Sequence, residues 1–276
     1  MKKQKLAVVF AALLTMVGFS SCLNSEDDGI REWGGYFEVN NTYGSVNFVD
    51  PTGIQLVPNK TIIDAPASSA LAYINYQYKD DDMAQIEQTK KLPVTLLQDP
   101  VYLKRLDCLT TTLPEETKTV SIYSLGEDAL VWGNNKYLIL APTILLKKGT
   151  TSENLSTELL NHRLTLYYLS AEDDEDANTL KLYLRYEISG IGESSTEETD
   201  DKESWASDYN VRYTNVSHVN LQPIISMYKS THSGSEPEKV TVEYEYNNST
   251  SSIPTIAKKQ TETVTYTLYK DTSSSN

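Results

Sequence analysis

Cys22 is the residue whose position in the chain predicts the most specific chemistry. It follows a lysine-rich start and an apolar stretch, residues 6–17, and the small residues Ser20 and Ser21 stand directly before it. This order is that of a secretory signal peptide, residues 1–21, and a cysteine just after the cut point is the pattern of bacterial lipoproteins. In such proteins the thiol is acylated and the cysteine becomes the first residue of the mature chain. A plain secretory peptide with an incidental cysteine is the alternative.

The apolar stretch before Cys22 is too short to span a bilayer as a stable helix, so we expect attachment to the membrane through lipid. Each buried methylene contributes roughly 0.8 kcal/mol, and two or three acyl chains would anchor the protein firmly. The acids Glu26, Asp27 and Asp28 follow in a polar tether, residues 22–32. They resemble the export tag that sends lipoproteins of the Bacteroidota to the outer face of the outer membrane. An ordinary acidic tether, in contrast, would leave the protein facing the periplasm.

Few other residues stand in an arrangement typical of catalysis. The histidines His162, His218 and His232 are far apart in sequence and form no zinc motif, so we expect neither a metal nor a cofactor. The sequence also lacks the motifs of a serine nucleophile and of phosphate-binding loops. A glycoside hydrolase needs two carboxylates a few ångströms apart, and Glu243 and Glu245 lie on one face of a predicted strand. This pair keeps a carbohydrate-active enzyme open as the alternative to a non-catalytic protein.

Aromatic side chains are better candidates for binding. Tyr73, Tyr76 and Tyr78 lie in one predicted strand, and Trp205 lies in a segment, residues 192–207, that has too little apolar content to pack. Surface tyrosines and tryptophans stack on sugar rings or anchor protein partners, so these four are candidate contacts for a glycan or an envelope protein. The competing interpretation is that each fills the core of a chain with 19 tyrosines and only 4 phenylalanines.

The charge and the cysteines limit the partners further. The chain has 24 basic and 38 acidic residues, and removal of three lysines with the signal peptide changes the net charge from −14 to about −17. Such a surface repels phosphate backbones, so nucleic acid is not an expected partner. With Cys22 acylated, Cys108 has no disulfide partner in the chain, and we expect it to be a small buried apolar residue.

Short runs of alternating apolar and polar residues, separated by turn signals, predict a mostly β protein. Five or six strands within residues 33–109 fit a small barrel, and a polar stretch with a proline separates it from a second β domain, residues 118–271. There, RLTLYYL and TLKLYLRYEI predict a hairpin around the acidic loop EDDEDAN. SENLSTELLNH, with Ser152 as its N-cap, is the one predicted helix. Residues 192–207 are predicted to form a long mobile loop.

The order of these segments resembles that of one family. FVDPTGIQLVPN, ALAYINYQY, VWGNNKYLILAP and the hairpin follow a lipoprotein signal as they do in the NigD-like lipoproteins of Bacteroidota, named for a member encoded in a bacteriocin gene cluster. The resemblance covers most of residues 20–190. It implies an N-terminal OB-like barrel, a C-terminal antiparallel β-sandwich and no catalytic residues. OB-like barrels often bind oligonucleotides or oligosaccharides, and the negative charge speaks against the former.

These observations together predict a non-catalytic lipoprotein of the cell envelope. We expect it to be anchored in the outer membrane through Cys22, to face outward, and to bind or assist a glycan or an envelope protein. A link to bacteriocin self-protection is implied by the family resemblance.

Overall fold

The structure, a computed structural model, describes residues 29–42, 44–63, 65–126, 130–169, 178–191, 204–247 and 254–269. The described chain is mostly β and forms two compact units that divide between Arg105 and Leu106. The predicted signal peptide, Cys22 and the acids Glu26, Asp27 and Asp28 lie outside the described residues. None of the helices in the described ranges is long and apolar enough to cross a membrane.

The first unit contains a closed barrel. Its strands are β1 (Ile30–Thr42), β2 (Ser45–Val49), β3 (Gln55–Pro58), β4 (Leu71–Lys79), β5 (Lys91–Leu96), β6 (Val101–Tyr102) and β7 (Lys104–Arg105), and it also contains a 3₁₀ helix (Asp80–Gln85) and α1 (Ile86–Thr89). The strands pair in the order β1-β2-β3-β5-β4, and β4 pairs again with β1, which closes the sheet. The β3–β5 pairing is parallel and the others are antiparallel. This five-stranded barrel confirms the predicted OB-like barrel.

β1 is long because it pairs on both of its edges. Its first part pairs with β4 and its last part with β2, and Glu38 has a partner in both strands. Gly34 and Gly35 lie in the first part, where the absence of a Cβ allows a strand to bend sharply. The barrel is filled by inward-facing residues, chiefly Phe37, Phe48, Ile74, Tyr76, Leu92 and Val94.

The second unit contains ten strands among the described residues. They are β8 (Asp107–Leu109), β9 (Leu130–Trp132), β10 (Tyr137–Leu140), β11 (Thr143–Lys147), β12 (His162–Tyr167), β13 (Thr179–Ile188), β14 (Tyr209–Thr214), β15 (Ser217–Asn220), β16 (Lys239–Tyr246) and β17 (Gln260–Thr267). The helical segments are α2 (Leu155–Leu159), α3 (Gln222–Thr231) and the 3₁₀ helices Glu116–Lys118 and Ser204–Asp208. β9, β10 and β15 form one sheet, β11 pairs with β14, and five strands form the order β17-β16-β13-β12-β8. This multi-sheet unit confirms the predicted sandwich.

The five-stranded sheet contains the predicted hairpin and combines parallel with antiparallel pairs. β12 and β13 form the predicted antiparallel hairpin, with Tyr167 opposite Tyr183. The sheet is mixed, because β13–β16 and β8–β12 are parallel pairs. A parallel pair needs a long crossover connection, and the chain between β13 and β16 supplies it through β14, β15 and α3. The parallel pairing of β8 with β12 also explains why the units divide before residue 106 rather than after 109.

The helices differ from the sequence prediction. The predicted helix spans only Leu155–Leu159, and the residue that precedes it is Asn154 rather than Ser152. The ten-residue helix α3 was not predicted, because its sequence QPIISMYKST is rich in hydroxyl and β-branched residues of low helix propensity. Its buried residues Ile224 and Tyr228 are four apart, which is the spacing of one helix face and the signal that could have revealed it.

Candidate functional site

The three predicted tyrosines of β4 lie on opposite faces of the barrel. Tyr76 points inward and is only 6% exposed, and its burial raises the pKa of its hydroxyl. Tyr78 is on the same face as Tyr76 and half-buried, with its ring centroid 6.2 Å from that of Tyr76. Tyr73 is on the other face, because successive side chains of a strand alternate. Tyr76 therefore fills the core, and Tyr73 remains a surface candidate.

Tyr73 belongs to a small aromatic surface on the outside of the barrel. It lies opposite Tyr36 of β1, with ring centroids 5.3 Å apart and planes at 72°, which is an edge-to-face contact. On its other side it lies opposite Val101 of β6, which is 54% exposed. Asn75 is the next outward residue along β4. We call this outer surface around Tyr36, Tyr73, Asn75 and Val101 the Tyr73 face.

Gly34 shapes the Tyr73 face. It is the partner of Asn75 in the β1–β4 pairing. A Cβ at Gly34 would lie 2.2 Å from Asn75 Oδ1 and 2.8 Å from the Tyr73 hydroxyl, both of which are below any normal contact. The glycine therefore leaves room for a carboxamide and a phenol to converge over the strand. Tyr36 and Gly34 were not among the sequence candidates, although the alternation of WGGYFEV places them on one face.

Trp205 lies in the second unit, apart from the barrel tyrosines. It is half-buried in the 3₁₀ helix Ser204–Asp208, packs against the core and meets Tyr209 edge-on with centroids 5.8 Å apart. Its surroundings are those of a packing residue. Of the predicted loop, residues 192–203 lie outside the described residues, while 204–207 are part of this helix.

A polar groove crosses β13, β16 and β17 on the outer face of the five-stranded sheet. Its volume is about 380 Å³. Four threonines line it, Thr179, Thr241, Thr263 and Thr265, and the other lining residues are Lys181, Leu182, Tyr183, Lys239 and Glu243. We call it the threonine groove.

Glu243 and Glu245, the candidate catalytic pair, are both held by cations. Arg185 Nη2 lies 2.7 Å from Glu243 Oε1, and Arg185 Nε lies 3.7 Å from Glu245 Oε1. Lys259 Nζ lies 3.1 Å from Glu245 Oε2, and the side chains of Arg185, Glu245 and Lys259 are all at least 90% buried. Lys259 also donates to the backbone oxygens of Glu116 and Thr119. Carboxylates neutralised in this way are suited to stabilising the fold rather than to transferring protons.

A second buried polar cluster centres on His162. Its Nε2 lies 3.0 Å from Glu158 Oε1, and its Nδ1 lies 2.5 Å from the Tyr186 hydroxyl. In a neutral ring these contacts fit one tautomer, in which Nε2–H donates to the carboxylate and Nδ1 accepts from the phenol. Burial lowers the pKa of His162, against the influence of Glu158. For Glu158, burial acts to raise the pKa, but hydrogen bonds from His162 and the Lys147 backbone N–H outweigh it and the pKa is lowered.

This cluster predicts that the protein loses stability on acidification. The unfolded chain binds more protons at His162 than the folded chain, so stability is complete above the unfolded pKa of about 6.5 and falls as the pH drops below it. The lowered pKa of Glu158 acts in the same direction at lower pH. We expect the midpoint of thermal unfolding to fall less between pH 7.5 and 5.5 in His162→Gln, whose amide can keep both hydrogen bonds, than in the wild type. Calorimetry at each pH measures this difference.

The matched control for that experiment is His232→Gln, which removes a half-buried histidine stacked on Tyr228. It should keep the acid-induced fall of the wild type. An equal fall in wild type and His162→Gln would contradict the assignment of the titration to His162.

Neither Cys108 nor a metal-binding cluster provides a reactive site among the described residues. Cys108 is partly buried, and burial raises the pKa of its thiol to about 12, which leaves it protonated and a poor nucleophile at neutral pH. Across the ranges that the structure describes, no group of three or more histidine, cysteine or acidic side chains could hold a metal ion.

Comparison with known proteins identifies the fold. No protein-family model and no curated protein sequence matches the chain. The crystal structure of a Bacteroides fragilis protein assigned as a lipoprotein matches with a TM-score of 0.66 and 22% identity, over 87% of this chain and 99% of that one. An uncharacterised protein from Parabacteroides merdae matches with a TM-score of 0.52 and 14% identity, over 86% and 100%.

A third solved structure is a NigD-like immunity protein from Bacteroides caccae, with a TM-score of 0.45 and 10% identity over 85% of this chain and 95% of that one. Similarity at this level supports no inference by itself. The match to the Bacteroides fragilis protein is stronger. The chain therefore shares its fold with solved proteins of Bacteroides and Parabacteroides.

Proposed function

We propose that this protein is a lipid-anchored component of the bacterial cell envelope that binds a glycan, without catalysis, through the Tyr73 face. The observation that carries the proposal is the convergence of the Tyr73 hydroxyl and the Asn75 carboxamide over Gly34, beside the ring of Tyr36. Aromatic rings offer a surface for the apolar side of a sugar, and hydroxyl and amide groups fit its hydroxyls.

The envelope location is supported by the sequence around Cys22 and by the fold. The signal peptide and cysteine fit acylation, and a protein of the same fold from Bacteroides fragilis is assigned as a lipoprotein. The acids Glu26, Asp27 and Asp28 favour export to the outer face of the outer membrane. A role in bacteriocin self-protection would be a narrower form of this proposal, and it is supported by the family resemblance.

The absence of catalysis is proposed from the state of the carboxylate pair. A glycoside hydrolase needs one carboxyl that is protonated and one that is ionised. Glu245 faces two buried cations and Glu243 is paired with Arg185, so both side chains are engaged in ion pairs. This geometry favours a structural role for the pair over a catalytic one.

A glycan-array screen of residues 23–276 tests the proposal, with reducing-end release measured on every hit. We expect binding of neutral glycans without release, and a loss of about tenfold in affinity in Tyr73→Ala, which corresponds to about 1.4 kcal/mol. Gly34→Ala should weaken binding too, because its methyl group would displace Asn75 and Tyr73.

Tyr269→Ala, which removes a 46% exposed tyrosine of the second unit, is the matched control and should bind like the wild type. Glycan release that disappears in Glu243→Gln would overturn the assignment as a non-catalytic protein. If no neutral glycan binds, the proposal for the Tyr73 face is wrong, and crosslinking on intact cells would then identify a protein partner.

A further inference from the structure

The threonine groove has the size of a ligand site. Its volume of about 380 Å³ falls within the usual range for small-molecule sites. It lies on the second unit and shares no residue with the Tyr73 face. The pairing of three strands builds it: Thr241 of β16 lies between Lys181 of β13 and Thr265 of β17.

The groove carries positive charge in a strongly acidic protein. Lys239 lies opposite Thr179, and Lys181 lies opposite Thr241, so the two lysines are diagonal neighbours on one face of the sheet. Neither amino group has an acidic partner among the residues that the structure describes. The chain has a net charge of −14, so these two neighbouring lysines place positive charge on the surface of an acidic protein.

The one glutamate in the lining does not cancel this charge. Glu243 is paired with Arg185 at 2.7 Å, and the Arg185 guanidinium lies 5.6 Å from the centre of the Tyr183 ring. Glu245, the next outward residue of β16, is itself paired with Arg185 and Lys259. The charges at this end of the groove are thus balanced within the protein, and among the described residues that line the groove Lys181 and Lys239 supply two positive charges at the other end.

We propose that the threonine groove binds a saccharide that carries a carboxylate or a sulfate group. Ammonium groups on Lys181 and Lys239 form charge-assisted hydrogen bonds with the anionic group. The hydroxyls of Thr241, Thr263 and Thr265 donate to and accept from sugar hydroxyls. Tyr183 gives the groove an aromatic wall.

Nucleic acid fits the groove less well. Its charge is carried on every phosphate and would meet the negative field of the whole protein, whereas a single anionic group is governed by the lysines within a Debye length of about 8 Å. Single strands are also bound on successive stacked aromatic rings, and the groove has one tyrosine.

The test compares saccharides that differ in charge, by titration calorimetry with residues 23–276. The probes are a galacto-oligosaccharide that ends in one galacturonate for the carboxylate, the same oligosaccharide with one sulfate group for the sulfate, and the neutral galacto-oligosaccharide of the same length. We expect at least one charged probe to bind at least tenfold more tightly than the neutral one. Its affinity should fall about tenfold in Lys181→Gln and in Lys239→Gln, and further in the double variant.

The matched control is Lys91→Gln, an exposed lysine of the barrel, which should bind the charged probes like the wild type. Tyr73→Ala should also leave this affinity unchanged, so failure here is distinguishable from failure of the neutral-glycan proposal. The inference is overturned if no charged probe binds, if the double lysine variant binds like the wild type, or if an acidic peptide competes with the saccharide at lower concentration. Unchanged melting temperatures of the lysine variants confirm that a loss of binding is not a loss of folding.

Discussion

Glu245→Gln is expected to lower the free energy of unfolding of the second unit by about 3 kcal/mol or more. Removal of one member of a buried ion network leaves the others uncompensated, at a typical cost of about 3–5 kcal/mol. Here the loss of the carboxylate would leave Arg185 and Lys259 buried with less compensation, and both side chains are less than 10% exposed. Glutamine keeps the size of glutamate, so the change is in charge rather than in volume.

Calorimetry provides the measurement. For a unit of this size, the expected loss corresponds to a decrease of about 10 °C in the melting temperature. Glu243→Gln is the control variant, because it changes a more exposed carboxylate of the same network. The Glu243 side chain is 33% exposed, and solvent screens its pairing with Arg185. Its decrease should be much smaller. Equal melting temperatures for the two variants would show that the Glu245 network is not a main source of stability.

Residue alternation was sufficient to predict most strands of the first unit and the long strands of the five-stranded sheet in the second. ALAYINYQY corresponds to β4, and TLKLYLRYEI corresponds to β13. Alternation also defines two faces for each strand and places Tyr73 and Tyr76 on opposite faces, although the sequence prediction grouped the two as candidates. It could not determine which face is exposed. Tyr183 and Arg185 of β13 are on the polar face of the sequence pattern, yet both are buried in a central strand with neighbours on either side.

Contacts between distant segments were beyond the reach of the sequence. Lys259 binds the carbonyl oxygens of Glu116 and Thr119, which precede it by about 140 residues. No local pattern marks a lysine for burial, since lysines are almost never buried without partners. The pairing of β13 with β16 also joins segments that are distant in the sequence. This pairing places Lys181 beside Lys239. These parts of the candidate sites depend on topology, which the strand pattern alone leaves undetermined.

The His162 cluster combines a local and a distant contact. Glu158 and His162 are four residues apart, a spacing that a helix would bring together, although His162 begins β12. Tyr186 joins them only because β12 pairs with β13. The absence of local motifs around the histidines therefore gave no indication of this buried hydrogen-bond network.

Cys22→Ser is expected to abolish attachment of the protein to the membrane. A serine hydroxyl cannot form the thioether that lipoprotein acylation requires, so the protein would lose every acyl chain at once. Each methylene contributes roughly 0.8 kcal/mol to membrane binding, and stable anchoring needs two lipid signals or more. Loss of the cysteine should therefore move nearly all of the protein from the membrane fraction to the soluble fraction, rather than weaken binding by degrees.

Labelling with radioactive palmitate in growing cells measures this directly. The wild type should be labelled and Cys22→Ser should not. Cys108→Ser is the matched control, because it removes the other cysteine of the chain, whose protonated and partly buried thiol is not expected to be acylated. It should be labelled like the wild type. Equal labelling of wild type and Cys22→Ser would mean that residues 1–21 are a plain secretory peptide, and the anchor would then have to be sought elsewhere in the chain.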